Sequence, residues 1–166
     1  MNRCKGKSFS LFFFFCVFFF CLFYLYFLRN ITDDELYNYG YAHNILSHLI
    51  PYRDFNMIVP PLFSYFCALF QFVLGDKLIV YHMVISLLVT FIFFLVYPKL
   101  GYSSFAILSF SLCYPYFGYN TFCLFLLFLL FSIQDKKYYS LLSPVIIIFM
   151  VLTKQTFIFF VISSLI

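Results

Sequence analysis

Two short stretches of this 166-residue chain hold ionisable groups in surroundings where they could do chemistry. The first is Thr32-Asp33-Asp34-Glu35. A carboxylate can orient a hydroxyl and take its proton during attack on an electrophilic carbon, so Asp33, Asp34 and Glu35 all qualify as general bases. The same residues also have a structural use. Thr32 followed three places later by Glu35 is a capping box, and carboxylates in a first turn complement the positive end of the helix dipole. The second stretch is Lys154-Gln155, flanked on both sides by apolar residues. A charged side chain inside a span costs about 3 kcal/mol on insertion scales and faces a bundle interior or a wet cavity. The alternative for Lys154 is snorkelling to an interface.

Other reactive residue types carry less. The six cysteines (Cys4, Cys16, Cys21, Cys67, Cys113, Cys123) form no CxxC pair and mostly sit in apolar runs, where cysteine behaves as a small hydrophobe. His43, His48 and His82 are scattered without ligand spacing and read as interfacial or packing residues. Asn30-Ile31-Thr32 matches a glycosylation sequon but lies against an apolar run. There is no phosphate-binding glycine loop, nucleophile elbow or HExxH, so the sequence calls for no cofactor and supports no divalent metal.

The elements that must position these residues are membrane helices. Hydrophobic residues make up 65% of the chain and charged residues 10%, too few charges to cover a water-soluble core. The lipid bilayer is therefore the expected partner. The formal charge of +4 comes mainly from Arg3, Lys5 and Lys7, where flanking charge sets orientation, and no nucleic acid is expected as a partner. The 29 Phe residues need no function, because a lipid-facing surface accepts any large apolar side chain.

Leu11 to Leu28 is an unbroken apolar run of 18 residues, about 27 Å as a helix, and is expected to stay as an anchor. Residues 29 to 77 form an outer loop of juxtamembrane helices. Within it, a helix from Asp33 to Leu49 carries Leu36, Tyr39, Ala42, Ile45, Leu46 and Leu49 at helical spacing, so it can lie on the membrane with its acidic start above the first span. Pro60 to Leu74, at 15 residues, is short for a crossing, whereas Leu78 to Pro98 has 21. If only the second crosses, Lys99, Lys136 and Lys137 share the basic N-terminus's side, as the positive-inside tendency prefers. Ser104 to Tyr116 and Thr121 to Ile133 read as a helical pair around an outward turn, YPYFGYN, and Leu141 to Ile166 rises again. The expected fold is one all-α polytopic transmembrane bundle with spans near 8–28, 78–98, 104–116, 121–133 and 141–166. It lies in the plasma membrane, with a cytoplasmic N-terminus and an extracytoplasmic acidic loop. The last apolar run has no polar cap, which reads as a chain cut part-way through its bundle.

The run DDELYNYGYAHNILSHLIPYRDFNMIVPPLFSYFCALFQFVLGDKL resembles the first outer loop of bacterial GT-C-type membrane glycosyltransferases, the group that includes protein mannosyltransferases. Asp34-Glu35, Tyr39, Ala42, Pro51-Tyr52-Arg53-Asp54-Phe55, Pro60-Pro61-Leu62 and Gly75 fall in the order of that pattern, and LTKQTFIFF resembles a later Lys-containing motif. The resemblance implies inverting transfer from a polyprenyl-phosphate-linked sugar. Asp34 would be the base, with Asp33 and Glu35 beside it, and Arg53, Asp54, Lys154 and Gln155 would bind substrate, with Arg53 or Lys154 on the phosphate. Two departures stand out. His82 occupies a place where relatives often carry a basic residue, and Asn120 one where some carry a second carboxylate; that carboxylate is missing here, so a divalent metal is possible but not supported. The chain would be an N-terminal fragment of such an enzyme. The competing reading is a non-enzymatic multi-pass subunit for lipid-carrier translocation or assembly.

Overall fold

The computed structural model describes residues 2–113 and 118–156, with side chains over 12–112 and 118–156. The described residues are helical with short connections. Helix α1 (Asn2–Phe23) runs on through a π-helical turn, Tyr24–Leu28, and stops where Arg29 becomes extended. Helix α2 (Asp33–Leu46) starts from an extended Thr32. It ends three residues short of the Leu49 expected from periodicity, because His48 takes φ 63° and Pro51 follows shortly after. Helix α3 (Leu62–Leu74) begins directly after Pro60-Pro61 and ends at Gly75, whose φ of 100° favours glycine.

Helix α4 (Leu78–Leu100) leads through Gly101 (φ 53°) and a 3-10 turn, Gly101–Ser103, into α5 (Ser104–Cys113). Helices α6 (Tyr119–Ile133) and α7 (Tyr139–Thr153) follow. The tip of the expected outward turn, residues 114–117, and the end of the last expected span, residues 157–166, lie outside the described residues.

Helix α4 is the centre, packed against α1, α3, α5 and α6, while α7 packs on α6 and α2 on α3. Ring contacts fix the directions. Phe13 lies 6.0 Å from Phe93, and Tyr26 lies 5.8 Å from His82, so α1 and α4 are antiparallel. Phe125 lies 6.2 Å from Phe91 and Lys99 donates to the Phe131 carbonyl at 2.8 Å, so α6 runs parallel to α4. The α1–α4 seam uses Cys21, Ser86 and Thr90, all fully buried. Small side chains there let the helices approach, and Ser86 and Thr90 return their hydroxyls to the carbonyls of His82 and Ser86. Val17, Cys21 and Leu25 face inward at i+4 spacing, and Phe12, Phe15, Phe19, Phe23 and Phe27 face outward.

Among the described residues, Leu78–Leu112 is the one helical stretch long and apolar enough to cross a membrane; Phe12–Leu28 qualifies only when joined to α2, from which it is bent by 109°. The stretch doubles back at Gly101. The rings of Phe93 and Phe105 are 5.0 Å apart, where one straight helix would separate those positions by about 18 Å. α4 alone, at 23 residues, is about 34 Å long. α3, α6 and α7 are shorter apolar helices. Both ends of α3 lie by the first turns of α4. Phe63 packs on Tyr81 at 6.4 Å, and Leu74 is separated from Leu78 by only three residues, so α3 does not travel the length of the bundle.

Candidate functional site

The antiparallel packing gathers polar groups at the α4 N-terminal end. Glu35 is the hub. It is 1% exposed, and one carboxylate oxygen accepts from the Thr32 backbone N–H at 2.8 Å and from the Thr32 hydroxyl at 3.1 Å. This is the carboxylate half of the expected capping box. The other oxygen accepts from the Arg29 guanidinium at 3.1 Å and lies 3.7 Å from His82 Nε2, a spacing beyond hydrogen-bond length that leaves an electrostatic contact. Burial works to raise the Glu35 pKa, but His82, the Thr32 amide and Arg29 together outweigh it, and the carboxyl titrates below its ordinary value.

The three candidate bases therefore separate. Both oxygens of Glu35 are engaged in holding the turn, which makes it a structural anion. Asp33 is exposed at the helix start. Asp34 is half-buried, and no hydrogen bond or ion pair with described residues occupies its carboxylate; its backbone carbonyl accepts from Asn38 Nδ2 at 2.6 Å. A carboxylate left open beside a turn whose buried Glu35 is already paired with Arg29 is suited to accept a proton from a ligand.

Lys154 reaches the same end from the far side of the sequence. α7 stops at Thr153, and Lys154 is the extended residue that closes it. Its ammonium donates to Asn120 Oδ1 at 2.7 Å and lies 5.4 Å above the Tyr119 ring. Just before them, Gly118 packs so tightly that a Cβ there would lie 2.9 Å from both Asn38 Nδ2 and Tyr81 Oη. Contact thus runs from the acidic turn through Asn38 and Gly118 to Asn120 and Lys154. Asn38 Oδ1, Tyr81 Oη and both His82 ring nitrogens are buried here without hydrogen-bond partners among the described residues.

Arg53 and Asp54 form a separate local unit. Arg53 donates to Asp54 at 2.9 and 2.8 Å, and Asp54 also accepts the Ile50 amide at 2.8 Å, an exposed turn between α2 and α3. The Arg53 guanidinium holds the Asp54 carboxyl below its ordinary value. No described contact ties this pair to Lys154. Gln155 is exposed and makes no hydrogen bond with described residues. Nearby, Asp76 contacts His43 on α2, and burial, then Asp76, raise the pKa of Tyr39. Among the described residues no group of three His, Cys, Asp or Glu could hold a metal ion, and Cys16, Cys21, Cys67 and Cys123 are free.

Sequence reasoning missed Asn38, Tyr81 and the Arg29–Glu35 pair. Arg29 offered a faint signal as a cation closing an apolar run six residues before Glu35, but Asn38 and Tyr81 offered none. No family model, curated protein or solved structure matches this chain.

Proposed function

We propose that the chain is a GT-C-like membrane glycosyltransferase, or the N-terminal part of one, that moves a sugar from a polyprenyl-phosphate donor to an extracytoplasmic hydroxyl. The observation that carries this reading is that an open carboxylate, Asp34, and a cation, Lys154, lie at the same end of an apolar bundle, linked through Asn38, Gly118 and Asn120. Asp34 takes the acceptor proton as the hydroxyl attacks the anomeric carbon, and the sugar–phosphate bond breaks. The leaving phosphate gathers negative charge, which Lys154 balances. Arg53 is the weaker candidate for that second role, because Asp54 already neutralises it through two hydrogen bonds.

A membrane setting is supported by Leu78–Leu112 and by the outward Phe face of α1. In a plasma-membrane, multi-pass arrangement the acidic turn lies outside. That sidedness is supported by Lys99, Lys136 and Lys137, which stand at the opposite end of the bundle, where α1 begins.

The test is sugar transfer from polyprenyl-phosphate donors in membranes carrying the chain, or a longer protein that contains it, with Asp34→Asn as the variant. Loss of a general base predicts a fall of about 10²- to 10⁴-fold with folding intact. Transfer that survives the substitution removes Asp34 from the mechanism. Absence of transfer from the parent chain favours the non-enzymatic subunit.

A further inference from the structure

Building on the glycosyl-transfer reading, we propose that Gly118 and Asn38 form a fixed joint that sets the Lys154 ammonium relative to the Asp34 carboxylate, making both of them positioning residues. Asn38 is buried, and its amide donates to the Asp34 carbonyl at 2.6 Å, so it is locked to the first turn of α2. Gly118 opens α6 with φ 111°, a conformation that residues with a Cβ rarely adopt. A Cβ at this position would stand 2.9 Å from Asn38 Nδ2 and 2.9 Å from Tyr81 Oη, closer than such contacts allow.

Neither neighbour can give way freely. The Asn38 amide is bonded to Asp34, and Tyr81 is fully buried between the rings of Phe63 and His82. Two residues past Gly118, Asn120 accepts from Lys154, and the Tyr119 ring underlies the same ammonium. The start of α6 therefore rests on α2 and α4 at a distance that glycine alone permits, and it carries the lysine's partner with it. A side chain at 118 displaces that start, and Asn120 and Lys154 with it, away from the acidic turn.

The test is a spin-label distance between Tyr37→Cys on α2 and Leu152→Cys on α7, both exposed positions, in the full chain in lipid nanodiscs with the native cysteines replaced by Ala. The parent is expected to give one narrow distribution. Gly118→Ala should shift or broaden it. Asn120→Ala, which leaves Gly118 untouched, should broaden it by releasing Lys154. An unchanged distribution in Gly118→Ala or Asn120→Ala overturns the proposal. If Gly118→Ala does not fold, Asn38→Ala alone is measured instead; broadening supports the joint and an unchanged distribution overturns it. No sugar donor is present in this measurement. A failed transfer assay therefore leaves the joint standing, and an unchanged distance leaves the role of Asp34 untouched.

Discussion

Replacing Glu35 by glutamine perturbs the candidate site at its hub while keeping the side chain's shape. The carboxylate is 2% exposed, and its four close partners are the Thr32 amide, the Thr32 hydroxyl, Arg29 and His82. In Glu35→Gln the side chain keeps one oxygen for the cap but turns an amide toward Arg29, leaving a cation whose side chain is only 13% exposed beside a neutral donor. Removing one partner of a buried ion pair costs about 3–5 kcal/mol. Arg29 lies near the bundle end and keeps other contacts, so the lower end applies, about 3 kcal/mol, or two orders of magnitude in the unfolding equilibrium. Equilibrium unfolding in mixed micelles measures it.

The pH dependence of Glu35→Gln adds a second readout. The folded pKa of Glu35 is lowered, so its stabilisation is complete above the ordinary carboxyl value of 4.5 and disappears as pH falls through the lowered value. The parent should lose stability over that acid range, and the glutamine variant should lack this part of the loss. A cost under about 0.5 kcal/mol, the usual range for surface changes, would refute the assignment of Glu35 as a buried, paired anion. So would an unchanged acid limb. The double variant with Arg29→Met should lose less than the two single losses summed, since the charge left behind is then gone.

Gly75→Ala meets no atom within 4 Å but must hold φ 100°, so it should cost about 1–2 kcal/mol through backbone strain alone, measured in the same unfolding assay. Arg53→Ala breaks only an exposed pair and should leave the unfolding midpoint in the same assay where the parent has it. Impermeant thiol reagents applied to intact cells should label a cysteine introduced at Asp54 and spare one at Lys136. The opposite pattern would remove the case for an outward-facing site.

The helices were largely legible because their signals are local. The Thr32…Glu35 cap and the apolar runs of α3 and α4 each depend on residues a few places apart. The end of α2 was misplaced by three residues because apolar spacing continued to Leu49, while the positive φ at His48 had already turned the chain. Lys154 likewise read as interior to a run, since composition carries no mark of the helix ending at Thr153.

The chain's own order of residues settled that it folds as apolar helices and that an acidic first turn follows the first of them, because caps, breakers and periodicity act within a turn or two of helix. Tertiary packing adds His82 to the local partners that close Glu35. Glu35 is occupied by Thr32 and Arg29 from the connection before α2 and faced by His82 from α4, while Asp34, one residue earlier and so rotated by about 100° on the same helix, is left open among the described residues. Packing alone also brought Lys154 to Asn120 and Gly118 to Asn38. Such pairings depend on how helices are turned and stacked against one another, and linear spacing holds no record of that.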